Sequence, residues 1–175
     1  MNENPGQTAV PQVTNWDAIF AEVNAWRGAC MHHFSAVEMA VTETLLTLSA
    51  TPPDGASVRL RHLIGQRFED LSAAISPDGS YKEAGKTAFQ ELSQFRDKHE
   101  KFRSLLCHGV VKVTVECSGQ WVLIMRVLSI RARHAERNSI ALDRCEAEAQ
   151  LVSLKRDGQR LASVLGQLRK AVSVA

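Results

Sequence analysis

The chain has 175 residues, 45% of them hydrophobic and 23% charged, and 21 Lys and Arg against 19 Asp and Glu give a formal net charge of +2. These values fit one globular domain with a real core and exclude a disordered chain. They permit contact with nucleic acid without the dense basic surface of a dedicated binder, and no apolar run reaches the roughly 18 residues that a membrane span needs.

Residues 1–13 are polar and carry Pro5 and Pro11. With neither the basic start nor the apolar centre of a signal peptide, they read as a flexible arm before a single domain over 14–175. Thr14-Asn15 reads as a helix start with Asp17 in the first turn. Trp16, Ile19, Phe20, Val23, Trp26, Cys30, Phe34, Val37, Val41 and Leu45 recur at three- and four-residue steps. That pattern predicts a long amphipathic helix to about Leu48, stopped by Thr51-Pro52-Pro53-Asp54-Gly55. Ser57 is placed to open a second helix with Val58, Leu60, Leu63, Ile64, Phe68, Leu71 and Ile75 inward, closed by Ser76-Pro77-Asp78-Gly79. A third helix is predicted from Tyr81 to His108, with Phe89, Leu92, Phe95, His99, Phe102, Leu105 and Leu106 buried and Gly109 as its stop.

The period then changes. Val110 to Val115 and Trp121 to Val127, separated by Ser118-Gly119, predict a β-hairpin. Ile130 to Asn138 is a basic connection, and Ser139 to Leu142 is a candidate short third strand. Asp143 and Glu146 have capping-box spacing. They introduce a last helix to Val172, with Leu151, Leu154, Leu161, Val164, Leu165 and Leu168 inward and Gly158 and Gly166 as weak points. The fold class is mainly α: an up-down helical bundle of about four long helices, with a small β insertion at about 110–142 between helices three and four.

The segment Arg103-Ser104-Leu105-Leu106-Cys107-His108-Gly109 carries the chemistry. It puts a permanent cation and a titratable imidazole at a helix end, where His108 suits the negative end of the helix dipole. Such a pair can grip a phosphate and move protons, the minimum for cutting RNA without a metal. Positions five apart on a helix differ by about 140°. The two groups therefore converge only if Arg103 reaches along the surface, the last turn loosens near Gly109, or a second copy packs over the helix end.

The layout resembles the HEPN superfamily (higher eukaryotes and prokaryotes nucleotide-binding). The likeness rests on Arg103, the four-residue spacer, His108 and Gly109 at the end of the third long helix, then a hairpin and a last helix. It spans roughly residues 15 to 172 in layout but only a handful of positions in identity. The resemblance implies a metal-independent endoribonuclease without a cofactor, a toxin or phage-defence effector. It implies a homodimer, in which the Arg and His of two subunits share one cleft, and an antitoxin or nucleotidyltransferase partner. By it, Arg103 clamps the scissile phosphate, and His108 is general acid or base on the 2′-hydroxyl or the leaving oxygen. Ser104 stands where the family usually has a longer polar residue, often Asn. Many members are inert and bind RNA, a nucleotide or a partner protein instead.

Around the motif each residue has two readings. His99, four before Arg103, is a second base or a half-buried helix histidine. Glu38 and Glu43 face water, or one of them pairs with Arg103. Arg96 and Lys98 guide an RNA backbone or belong to a solvated face with (i, i+4) pairs such as Asp97 to Lys101. Arg126, Arg131, Arg133, His134 and Arg137 track phosphates or solvate a loop. Trp16 and Trp26, on one face, suit the core or a dimer seam better than base stacking. Cys30, His32 and His33 are too few and too close for a structural zinc site, so no metal is expected. Cys30, Cys107, Cys117 and Cys145 are widely spaced, which suits reduced thiols in a cytoplasm.

Overall fold

The computed structural model describes residues 15–131 and 133–174, with the side chain of Arg131 excepted, so the arm expected at 1–13 lies outside the described residues. The chain is mainly helical. Helices α1 (Trp16–Ser49), α2 (Ile64–Ile75) and α3 (Lys82–His108) precede strands β1 (Val110–Val115), β2 (Trp121–Arg131) and β3 (His134–Asp143), and α4 (Arg144–Val174) closes the chain.

Helix α1 starts where the Asn15 side chain accepts the Ala18 N–H at 3.1 Å, leaving one fewer open donor in its first turn. Val23, Trp26, Cys30, Phe34, Val37, Val41, Leu45 and Leu48 are buried along it. Trp16 and Phe20, expected on the same face, are 43% and 47% exposed. Their rings lie 6.0 Å apart on the first turns of the helix.

The start of α2 differs from the sequence expectation. Residues Asp54–Ser57 form a 3-10 turn, and the helix begins only at Ile64. Ser57 does not cap it, because its hydroxyl donates to Asp54 O at 2.7 Å and pairs with Ser80 Oγ. Buried Asp70 instead reaches back, accepting the Arg61 backbone N–H at 3.2 Å and the Arg61 Nε–H at 2.8 Å. That tie holds the preceding segment out of helix and leaves Leu60 and Leu63 exposed. At 12 residues α2 is short.

Helix α3 is anchored at its start by Tyr81, whose hydroxyl donates to Leu48 O at 2.7 Å. Leu92, Phe95, Phe102, Leu105 and Leu106 are buried on its inward face, as the stripe predicts. The sheet between α3 and α4 has antiparallel order β1-β2-β3. Alternation puts Trp121, Leu123 and Met125 of β2 and Leu142 of β3 into the core.

The insertion is thus a three-stranded sheet, and the basic segment expected as a connection is strand. Pairing runs from Val122↔Asp143 to Arg131↔His134, with Arg133 at the tip at φ 67°. Beyond the reach of β1, whose first residue Val110 pairs with Arg126, β2 and β3 continue as a ribbon with Leu128 and Ile130 exposed.

Asp143 and Glu146 cap α4 reciprocally: the Glu146 N–H donates to Asp143 Oδ1 at 2.8 Å, and the Asp143 N–H to Glu146 Oε2 at 3.0 Å. Trp26 Nε1 donates to Ala147 O at 2.7 Å, joining α1 to α4. Gly158 has a packing role, since a Cβ there would lie 3.0 Å from Val37 Cγ2. Buried Leu154, Leu161, Leu165 and Leu168 complete the α4 face.

Candidate functional site

Arg103 projects from the last turns of α3 toward α1. Its Nε donates to Glu38 Oε1 at 2.7 Å, and Nη2 lies 2.6 Å from the same oxygen. The two side chains are 28% and 24% exposed. An ion pair at this depth fixes the guanidinium direction better than a solvated pair does. Glu38 is set by its α1 position, one turn after buried Phe34.

His108 is the last residue of α3 and is exposed. The helix stays regular to that residue, and the Gly109 N–H donates to Leu105 O at 2.8 Å. Gly109 ends it through close approach rather than a left-handed turn: its φ is −77°, and a Cβ would fall 2.3 Å from Leu105 O. Because the last turn does not loosen, the angular offset of about 140° between Arg103 and His108 persists within one chain. Arg103 turns to Glu38, while His108 shares the outer side with exposed Ser104, four residues earlier.

His99 is fully buried between α3 and α4, with Nε2 3.0 Å from Asp157 Oδ2. Burial lowers its pKa, outweighing the raising effect of the Asp157 hydrogen bond. A neutral imidazole whose Nε2–H donates to Asp157 leaves Nδ1 as a buried acceptor, and Nδ1 has no partner among the described residues. His99 is therefore sealed from the surface that carries Arg103 and His108. Partial burial tends to raise the Asp157 pKa, but hydrogen bonds from Lys98, Arg156 and His99 hold it well below the usual carboxylate range. Lys98, about half exposed, has Nζ 2.7 Å from Asp157 Oδ2, so its charge is paired within the chain. Asp157 carries no motif. Its one signal in the sequence is an acid on the inward face of α4 between Leu154 and Leu161.

Arg96 pairs with Glu100 at 3.4 Å. Both line a small cleft with Arg103, Gly65, Phe34, Phe68 and Phe95, with a cavity volume of about 40 Å³. Arg133 is exposed at the ribbon tip, away from the helix end in sequence and element; Arg131 ends β2, and its side chain lies outside the described residues. Trp26 belongs to the core and Trp16 to the surface. Burial pushes the Cys30 thiol up to about 12, so it is an inert core group. Among the described residues, no group of three or more His, Cys, Asp or Glu is placed to hold a metal ion, and no helix is long and apolar enough to cross a membrane.

The arrangement offers a held, half-exposed cation beside an aromatic cleft, and a separate exposed imidazole at the helix end. Compared with protein-family models, curated proteins and solved structures, the chain gives no match.

Proposed function

We propose that the chain is a HEPN-like, metal-independent endoribonuclease that works as a homodimer in the cytoplasm, its four helices arranged as an up-down bundle. The observation that carries this reading is the end of α3: a guanidinium held by Glu38 and an exposed His108, five residues apart, before Gly109, the sheet and α4. One chain keeps the two groups on different sides, so the reading requires a second copy. Across such a contact, Arg103 neutralises the phosphate charge that grows in the transition state. One His108 takes the 2′-hydroxyl proton as that oxygen attacks phosphorus. The other protonates the departing 5′-oxygen, leaving a cyclic phosphate and a 5′-hydroxyl. A toxin or phage-defence role, with an antitoxin or nucleotidyltransferase partner, belongs to the same reading.

The test is cleavage of single-stranded RNA in the presence of EDTA. His108→Ala and Arg103→Ala are each expected to lower the rate by at least about 100-fold. Undiminished cleavage by His108→Ala rejects the mechanism. A second reading, an inert HEPN-like module that binds RNA, a nucleotide or a protein, is favoured by one observation: Glu38 already matches the charge of Arg103. RNA binding without turnover by the wild-type chain selects it.

A further inference from the structure

The sheet turns one face to the helices and the other to solvent. Trp121, Leu123, Met125 and Leu142 are buried on the inner face, so alternation and register put Lys112, Arg126 and Arg137 together on the outer one. All three are exposed. Lys112 of β1 pairs with Ile124 and Arg137 of β3 pairs with Leu128, two residues to either side of Arg126 along β2. The cations therefore form one oblique line across three strands, with about 7–8 Å between diagonal neighbours. Each faces an aliphatic residue on the next strand rather than an acid, Arg126 facing Val110. Among the described residues none of the three has an ion pair or a side-chain hydrogen bond. Asp143, the acid on that face of the strands, is engaged in capping α4. A lysine on an edge strand guards against aggregation, but Arg126 lies in the central strand. The line also passes beside the end of α3: a Cβ added to Gly109, next to His108, would come within 3.4 Å of Arg126 O.

We infer that the outer face of the sheet binds the sugar-phosphate backbone of single-stranded RNA, with phosphates along Lys112, Arg126 and Arg137, and leads the strand to the end of α3. The inference rests on the proposed RNA substrate and names a surface that holds it outside the cleavage site. Cations that have no partner in the chain are free to neutralise phosphates, and the counterions released from the nucleic acid supply affinity without reading sequence. A line of charge suits a linear polyanion better than a planar bilayer. A second copy of the chain would bring the same positive charge to this face and be repelled.

The experiment measures binding of a short oligouridine to the full chain carrying His108→Ala, in EDTA and over a range of salt, so that binding is read apart from turnover. Adding Arg126→Gln and Arg137→Gln is expected to make the slope of log affinity against log salt shallower by about 1.4, at about 0.7 for each phosphate contact on a single strand. The melting temperature is expected to stay within a few degrees. Adding Lys82→Gln and Lys86→Gln instead, which removes two exposed cations at the start of α3, is expected to leave the slope unchanged. An equal loss of slope from the two double substitutions overturns the surface. So does binding to phosphatidylserine vesicles that needs Arg126 and Arg137 when RNA binding does not. Cleavage by the wild type that depends on His108, with a slope indifferent to Arg126 and Arg137, removes the surface alone. A slope that depends on them, with no RNA cleavage by the wild type, keeps the surface and removes the ribonuclease.

Discussion

Arg103 and His99 lie on the same helix and meet opposite fates. Arg103 keeps about a quarter of its surface and pairs with the Glu38 carboxylate, which in the proposed mechanism gives way to a phosphate. Removing the guanidinium leaves Glu38 partly buried and unpaired. Arg103→Ala is therefore expected to cost about 1–2 kcal/mol of stability, and Glu38→Ala plus Arg103→Ala less than the sum of the single changes. Additive urea-unfolding energies would show that the pair is not coupled. His99 instead ties α3 to Asp157 on α4 without solvent access. Its depressed folded pKa sets the sign. Above the ordinary value of 6.5 both states are neutral; below it the unfolded chain takes a proton that the folded chain resists. Stability should fall from pH 7 to pH 5 by up to about 1.4 kcal/mol per pH unit from this group. Asp157, held low in the fold, adds its own loss only as the pH drops below the ordinary 3.8. Melting curves of His99→Gln should show a shallower slope between pH 7 and 5; an unchanged slope contradicts the assignment.

At the scale of elements, the periodic helices were legible. The α1, α3 and α4 stripes are long enough for 3.6-residue spacing to outweigh single exceptions. The reciprocal Asp143 and Glu146 cap was visible as a spacing and is present as two hydrogen bonds. Asp143→Ala should cost about 1 kcal/mol, read as a lower melting temperature, with little further loss on adding Glu146→Ala. The start of α2 was not legible, because Ser57 looks like a cap until Asp70 claims Arg61, nine residues away. The outer half of β3 was missed for another reason. Glu136, Arg137 and Asn138 are poor strand formers on an exposed ribbon, so no alternation of apolar and polar residues marks them.

At the scale of the molecule, the candidate site is incomplete in one copy. The regular end of α3 holds Arg103 and His108 on different sides, and the proposed chemistry needs both at one phosphate. Light scattering should report a dimer at micromolar concentration. Mixing wild-type protein with an excess of His108→Ala protein should lower RNA cleavage per wild-type chain, since a mixed dimer holds one His108 where the proposed chemistry uses two. Cleavage that follows the amount of wild-type chain alone rejects the shared cleft. Trp16 and Phe20, exposed and in contact with each other on α1, do not belong to the monomer core that their spacing suggested.

The order and type of the main elements were written in local patterns: apolar residues at helical steps, a run of valines, a glycine at the end of α3, a capping pair before α4. Such patterns act over a few residues, so a linear reading recovers them. The partners of the charged and aromatic groups were decided only when the helices packed. Glu38 with Arg103 is a contact across 65 positions, and His99 with Asp157 one across 58. Pairing at that range depends on the rotation and offset of whole helices, which their buried surfaces set together. The cleft of Phe34, Phe68 and Phe95 exists for the same reason, as three separate stripes brought to one opening.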